Sequence, residues 1–137
     1  MPSGILPQVT PISNVRESPY FPELNRTYGK GLEHERVKIK YLLWHTRHSG
    51  WTFDRNGRVW DAEDTANTLT KKYHQRIDQV QTARDYIDKV ASYSVTSGRA
   101  YYALPGDGMA YRTGEVLHRE LTRLEILMDE LHKEGGN

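Results

Sequence analysis

The chain of 137 residues contains no cysteine and only two phenylalanines, and five of its six prolines stand within the first thirty residues. The absence of cysteine excludes disulfides and metal sites with thiolate ligands. No apolar run approaches the roughly 18 to 20 residues of a membrane-spanning helix, so we expect no membrane insertion. The N-terminus lacks a basic stretch followed by an apolar segment, which favours an intracellular origin. The length suits one domain.

Excess charge of one sign is also missing. The net charge is +1 and the pI is about 8.0, whereas dedicated nucleic-acid binders usually have a pI above about 9. The charge is unevenly distributed, since residues 1–60 hold nine Lys and Arg against five Asp and Glu, and residues 61–137 hold ten against thirteen. This asymmetry predicts an anionic partner for the front half, or head-to-tail attraction between identical subunits.

Residues 1–30 are predicted to form an extended N-terminal arm. Each proline fixes φ, removes a backbone donor and disfavours helix in the residue before it, so no helix of useful length is expected here. Apolar residues between the prolines predict anchors that pack on the body of the protein or on neighbouring subunits. These anchors are Ile5, Leu6, Val9, Ile12, Tyr20 and Phe21.

Residues 31–137 are predicted to form a helical body. Apolar residues recur at helical spacing after Gly31 and predict a helix of about 17 residues that ends near Gly50. Asn56-Gly57, flanked by aromatic and β-branched residues, predicts a two-residue β-hairpin. From Asp61 the apolar residues advance in steps of three and four with no Pro or Gly before Gly98. This pattern predicts one long helix of roughly 30 residues, about 45 Å in length.

The remaining sequence predicts a second hairpin or an ordered loop, followed by a last helix. The turn sequence Pro105-Gly106-Asp107-Gly108 lies between two short arms that contain tyrosine. A heptad-like stripe of Leu and Met residues then runs up to Gly135. The predicted fold class is therefore mainly α. We expect an extended arm over residues 1–30 and a bundle of three helices over residues 31–137, one of them long, with one or two short β-hairpins.

Cations at helical spacing are the candidate nucleic-acid contacts. Arg36, Lys40 and Arg47 share one face of the first helix, and three more cations stand on the predicted long helix. Cations on rigid helices neutralise phosphates without reading the base sequence. The alternative interpretation is a solvated charged face whose long stems cover apolar surface. The complete candidate set is Arg36, Lys40, Arg47, Lys71, Lys72 and Arg76.

Tyrosines near the second turn are candidates for a subunit interface. Tyr101, Tyr102 and Tyr111 are flanked by Arg99 and Arg112, and Tyr and Arg are enriched where subunits meet. The alternative is that these tyrosines cap the end of the helical body.

Catalytic and metal-binding interpretations have weaker support in the sequence. His45 and His48 stand three residues apart and could share a metal or an active site with Asp54, but no known zinc pattern is present. Helix capping and turn formation account for the nearby carboxylates. The glycine turn lacks the lysine of a phosphate-binding loop, and no nucleophile-elbow motif occurs. We therefore expect no enzyme, no metal and no cofactor.

The proline-rich arm, the lack of cysteine and the helical body together resemble the coat proteins of filamentous viruses that infect hyperthermophilic archaea, the rudivirus, lipothrixvirus and tristromavirus group. The resemblance implies that paired subunits wrap double-stranded DNA in A-form and that helices and arms enclose the phosphates. The hypothesis is a virion coat protein, assembled in the host cytoplasm, which binds copies of itself or a related subunit and packages nucleic acid.

Two alternatives remain open from the sequence. One is a phage neck, tail or capsid-cement protein that assembles without nucleic acid, which the Asn-Gly pair favours because such residues are depleted in hyperthermophiles. The other is a small hydrolase or nuclease, which requires a pocket that joins His45 or His48 to Asp54.

Overall fold

The computed structural model describes residues 15–135, with side chains up to Lys133. The arm residues Ile5, Leu6, Val9 and Ile12 lie outside the described residues, so their predicted role as anchors stays a prediction. The described residues form an α+β fold with five helices and a four-stranded antiparallel sheet. The predicted mainly α bundle of three helices is therefore wrong. The physical reason is that the two predicted hairpins pair with each other and build a sheet.

The elements follow one another in an order that alternates helices with hairpins. They are α1 (Phe21–Thr27), α2 (Leu32–Arg47), β1 (Thr52–Arg55), β2 (Arg58–Asp61), α3 (Ala62–Gln75), α4 (Ala83–Tyr86), β3 (Tyr102–Leu104), β4 (Tyr111–Arg112) and α5 (Thr113–Gly135). Short 3₁₀ turns occupy Val15–Glu17 and Ile77–Gln79, and α4 continues as a π-helical turn over Ile87–Ala91. Helices α2 and α5 confirm the first and last predicted helices.

Helix α1 lies within the predicted arm, where no helix was expected. Pro22 stands in its first turn, where the missing N–H would have no intrahelical partner and the fixed φ suits a helix. Tyr20 and Phe21 pack against the core of their own chain. The part of the arm that the structure describes is thus folded onto the helical body.

The predicted long helix is divided into α3 and α4. The chain leaves the helical conformation at Val80, which has φ −117° and ψ 105°. Thr82 then caps α4, because its side chain accepts from the Asp85 N–H while the Asp85 carboxylate accepts from the Thr82 N–H. Such a capping box satisfies the free donors of a new helix start. The apolar spacing continues across this break and conceals it in the sequence.

The sheet has the strand order β2-β1-β3-β4. The β1–β2 hairpin is confirmed, with Phe53 opposite Trp60, and Asn56 and Gly57 adopt the positive φ values of 59° and 82° that a type I′ turn requires. Strands β3 and β4 form the second predicted hairpin. Strand β1 also pairs with β3, and this pairing joins the two hairpins into one sheet.

The main core lies among α2, α3, α4 and α5. The predicted stripe of α5 is buried there through Leu117, Leu121, Leu124 and Met128. A smaller apolar cluster beneath the sheet contains Trp51, Phe53, Ala62 and Ala103. Within residues 15–135, no helix combines the length and apolarity needed to cross a bilayer.

The loop over residues 93–100 holds the turn of the first hairpin in place. The Asn56 side-chain amide donates to Ser94 Oγ at 3.0 Å, and Ser97 Oγ donates to Asn56 Oδ1 at 2.5 Å. The same loop is closed by backbone hydrogen bonds between Ser94 and Arg99 and between Gly98 and Ser94. The hairpin end is therefore a fixed part of the fold, although it lies at the surface.

Candidate nucleic-acid interface

Three of the predicted cations line one groove. Two adjoining cavities of about 500 and 470 Å³ lie between helices α1, α2 and α3, and both are lined by Lys40, Tyr73 and His74. Arg36 lines the first cavity and Arg47 the second. We call this surface the α2–α3 groove, and its other lining residues are Tyr20, Glu23, Arg26, Leu32, Glu33, Val37, Leu43, Trp44, Thr70 and Ile77.

The groove combines cations with an aromatic and aliphatic floor. Tyr20, Trp44 and Tyr73 supply the rings, and all three also contact the main core. The Tyr73 hydroxyl has a raised pKa because burial disfavours the phenolate, and this effect is partly offset by Arg36. The groove is thus built on side chains that the folded core holds in place.

The predicted cations of the groove are incompletely neutralised. Lys40 Nζ lies 4.0 Å from the nearest carboxylate, that of Glu23, and Arg47 donates at 2.7 Å to the neutral amide of Asn67. Arg36 is exposed and forms no ion pair with the described residues. By contrast, Arg26 is neutralised by Glu33 at 3.1 Å and by Glu23 at 3.7 Å. The groove therefore keeps positive charge along α2.

The other three predicted cations lie elsewhere. Lys71 is exposed on α3, outside the groove lining. Lys72 is buried, and its Nζ donates at 2.6 Å to the backbone carbonyl of Tyr93. Arg76 is half-buried and close enough to Lys72 to lower its pKa. The six candidates therefore do not form one surface, since Lys71, Lys72 and Arg76 do not line the groove. Lys72 instead contacts Tyr93 and Tyr101.

The histidines of α2 lie apart from Asp54. His45 is buried beside Glu120, with 3.7 Å between His45 Nε2 and Glu120 Oε1. Asp54 lines a cavity of about 370 Å³, and neither His45 nor His48 is among the residues that line it. Among the residues that the structure describes, no group of three or more His, Cys, Asp or Glu side chains is arranged to hold a metal ion.

A buried ionisable network connects α2 to α5. Tyr41 donates at 2.5 Å to Glu120 Oε2, and Arg123 Nε lies 3.4 Å from Glu120 Oε1. Burial raises the pKa of the Glu120 carboxyl. Burial, followed by the charge of Arg123, lowers the pKa of His45 to about 4, so His45 is neutral at pH 7. The network is buried in the interface between the two helices and does not line the groove.

The predicted interface tyrosines have separate environments. Tyr101 is buried beneath Lys72, whose ammonium lies 5.0 Å from the ring centroid. Tyr102 is half-buried on the outer face of the sheet, opposite Arg112. The Tyr111 hydroxyl donates to Asp107 at 2.8 Å. Tyr102 is thus the member of this group that lies on an open face of the sheet.

Sequence reasoning missed several residues of these surfaces. Tyr73 and His74 line the groove, and neither was named as a candidate site residue. Arg55 and Arg58 were not named as candidates either, yet the two-residue turn itself places them opposite each other. That register is readable from the sequence once the Asn-Gly turn is recognised.

Comparison with known proteins places this architecture in a family. The model of a family of unknown function, DUF5329, matches residues 33–125, which run from α2 into α5 and include the whole sheet. No curated protein and no solved structure matches the chain. Because the matched segment covers more than half of the 137 residues, the chain belongs to the DUF5329 family, a family of unknown function.

Proposed function

We propose that the protein binds nucleic acid through phosphate contacts in the α2–α3 groove. The observation that carries this proposal is the convergence of Arg36, Lys40 and Arg47 on one groove with little neutralisation by carboxylates. Cations without a close carboxylate partner contribute most to the free energy of binding a polyanion. A phosphate that binds them displaces counterions and breaks no ion pair within the protein.

The dimensions of the groove suit an extended ligand. Arg36 and Arg47 are eleven residues apart on α2, which corresponds to about 16 Å along the helix axis. Double-stranded DNA carries one charge per roughly 1.7 Å of its axis, so the three cations can contact several phosphates of one duplex or strand. The same length greatly exceeds a single phosphate group, which favours a polymeric ligand.

The aromatic floor favours contact with bases or sugars in addition to phosphates. Trp44 is half-buried and lies between Lys40 and Arg47 in the sequence of α2. Rings beside cations stack on bases without regard to base identity. Phosphate contacts and base stacking do not distinguish one base from another, so binding is expected to be independent of nucleic-acid sequence.

The role as a virion coat protein stays a prediction that depends on this binding. It requires in addition that copies of the chain assemble along the nucleic acid. The alternative of a structural protein that assembles without nucleic acid differs in its response to salt, since protein-only assembly does not follow the counterion-release law.

The test is the salt dependence of binding to fluorescein-labelled 20-nucleotide single strands and 20-base-pair duplexes, followed by anisotropy. The triple variant Arg36→Gln, Lys40→Gln, Arg47→Gln should bind more weakly and, on duplex DNA, reduce the log–log salt slope by about 2.7, or about 0.9 per lost contact. The matched control is Arg99→Gln, Arg119→Gln, Lys133→Gln, which removes the same charge from exposed positions outside the groove.

The proposal predicts that the control keeps most of the wild-type slope. Equal losses in both triple variants would mean that binding follows net charge, and the groove would have no special role. If the wild-type protein binds neither probe at 50 mM salt, the protein is not a nucleic-acid binder of this kind.

A further inference from the structure

A second group of cations surrounds the end of the first hairpin. Arg55 and Arg58 are directly opposite each other in the β1–β2 register. Both guanidinium groups lie against the ring of Trp60, at 4.5 and 4.9 Å from its centroid. Like charges opposite each other destabilise a strand pair. The arrangement therefore has an electrostatic cost, which the contacts of both guanidinium groups with the Trp60 ring offset.

Lys72 brings a third cation to the same region from α3. The residue is 9% exposed, and its Nζ donates to the Tyr93 carbonyl at 2.6 Å and lies 3.4 Å from the Tyr101 hydroxyl. Both of these partners are neutral. A buried ammonium normally has a carboxylate partner, and the described residues supply none within 4.0 Å of Lys72.

The region as a whole has an excess of positive charge. In the described part of the chain, Arg55, Arg58, Lys72 and Arg76 form no ion pair within 4.0 Å, and Asp64 is the carboxylate that acts on Arg55. Arg55 Nε is buried and has no hydrogen-bond partner in the structure. Burial, and then Arg76 and Arg55, lower the pKa of Lys72 to about 8.

We propose that Arg55, Arg58 and Lys72 form a binding site for a phosphate-class oxyanion, separate from the α2–α3 groove. A tetrahedral oxyanion accepts several hydrogen bonds at once, and Arg55 and Lys72 are close enough for the charge of Arg55 to lower the pKa of Lys72. Arginine provides the planar fork and lysine the point charge that phosphate sites combine. The Tyr101 hydroxyl is a further donor at the same place.

The fold holds these donors in fixed positions before any ligand arrives. Trp60 packs against the two guanidinium groups, and Asn56 fixes the hairpin end to Ser94 and Ser97. The Tyr93 carbonyl orients the Lys72 ammonium. Preorganised donors lose little conformational entropy on binding, which increases affinity for a small ligand.

The size of this cluster favours a single phosphate group over a polymer. Its donors come from one hairpin end and one helix side chain, whereas the groove extends along most of α2. That one group can be a free phosphate or phosphomonoester, or a single diester unit within a nucleic-acid backbone. Inorganic phosphate and dimethyl phosphate distinguish these two sources.

The experiment is thermal unfolding at pH 7.0 with increasing phosphate, against chloride at the same ionic strength. Wild-type protein should show a saturable rise in Tm that chloride does not give. Arg55→Gln and Lys72→Met should each weaken the apparent phosphate affinity about tenfold or more, because each removes a charged hydrogen bond. Lys71→Met, a neighbouring exposed lysine on α3, is the matched control and should behave as wild type.

NMR of the Lys72 ammonium keeps the test independent of variant stability. Binding of an oxyanion should raise the pKa of Lys72 in the wild-type protein and shift its Nζ resonance with the same apparent affinity. The site is excluded if neither phosphate probe moves this resonance. It is also excluded if the triple groove variant, rather than Arg55→Gln, abolishes the phosphate effect, an outcome that would leave the groove proposal intact.

Discussion

Tyr41 donates a hydrogen bond of 2.5 Å to Glu120, and the two residues join helices α2 and α5 although they are 79 positions apart in the chain. Both side chains are buried. An ionised carboxylate in such a place is tolerated only with strong donors. Tyr41 and Arg123 supply them, and each lowers the pKa of Glu120 against the larger effect of burial, which raises it.

Replacement of this donor should destabilise the protein in a pH-dependent manner. Tyr41→Phe leaves the Glu120 carboxylate without its hydroxyl donor, and we expect a loss of about 1–3 kcal/mol at pH 7. The folded-state pKa of Glu120 should rise further. A carboxyl whose pKa is raised in the folded state stabilises the fold at low pH. This stabilisation is lost as pH rises from the ordinary carboxyl pKa of 4.5 through the raised folded-state pKa. Because Tyr41→Phe raises the folded-state pKa further, it should destabilise the protein more at pH 8 than at pH 5.

Urea unfolding of wild type and Tyr41→Phe at both pH values measures this difference. Tyr93→Phe is the control, since Tyr93 is 47% exposed and its hydroxyl has no described partner. A destabilisation by Tyr41→Phe that is the same at pH 5 and pH 8 would show that the hydroxyl does not interact with an ionised Glu120.

His45 should make the protein sensitive to moderate acid. Burial lowers its pKa from 6.5 to about 4, so the unfolded chain binds a proton in this interval that the folded chain does not. Stability from this group is complete above pH 6.5 and is lost as pH falls towards 4. The loss is up to about 3 kcal/mol, at about 1.4 kcal/mol per pKa unit.

The His45→Gln variant should therefore lose less stability than wild type between pH 7 and pH 4, as followed by urea unfolding. His48→Gln removes an exposed imidazole from the end of the same helix and should follow the wild-type profile. An NMR titration midpoint of the His45 ring near its ordinary value would contradict the burial argument directly.

The start of α4 should depend on one threonine. Thr82→Ala removes the oxygen that accepts from the Asp85 N–H at 3.0 Å, and loss of such a cap costs about 1 kcal/mol. Thermal unfolding measures the cost. Thr122→Ala, an exposed position within α5, is the control and should be neutral or slightly stabilising because alanine is the better helix former. Equal effects in the two variants would mean that the capping box contributes nothing.

Thr82 also shows why the long helix was predicted wrongly. The steps of three and four from Ala66 to Val90 describe which residues are buried, and residues on both sides of the break are buried in the same core. Periodicity therefore continues where the backbone does not. The Thr82-x-x-Asp85 pattern is a local sign of a new helix start, whereas the predicted long helix was based on the apolar spacing.

The sheet could be predicted only in part. The first hairpin follows from Asn56-Gly57, because positive φ at two successive residues is a local requirement. The pairing of Phe53 with Ala103 joins segments fifty positions apart, and no local pattern encodes a contact of that separation. Without it, two hairpins on a helical bundle were the simplest interpretation.

The candidate sites, like the sheet, could be predicted only in part. Arg36, Lys40 and Arg47 follow from helical spacing alone, since all three stand on one helix. Lys72 and Arg76 do not join these three cations in the groove because of the way α3 packs between α2 and the sheet. That packing is a tertiary property, which helical spacing does not encode. Helical spacing shows which residues share one face of a helix. It does not show which neighbouring element packs against that face.

The turn residue Asn56 should couple the hairpin to the loop over residues 93–100. Asn56→Gly keeps the positive φ but removes the hydrogen bonds to Ser94 and Ser97, whereas Asn56→Ala removes the same bonds and adds left-handed strain. We expect Asn56→Gly to destabilise by about 1–2 kcal/mol and Asn56→Ala by roughly 1 kcal/mol more. Urea unfolding of the two variants separates the two contributions.

Hydrogen exchange shows where the loss acts. The Gly98 N–H donates to the Ser94 carbonyl at 2.9 Å within the loop, and it should exchange faster in Asn56→Gly because the loop has lost its attachment to the hairpin. The Leu121 N–H in α5 is the internal reference and should change only with global stability. If Gly98 and Leu121 change in proportion, the loop is held by the rest of the fold and Asn56 does not couple it to the hairpin.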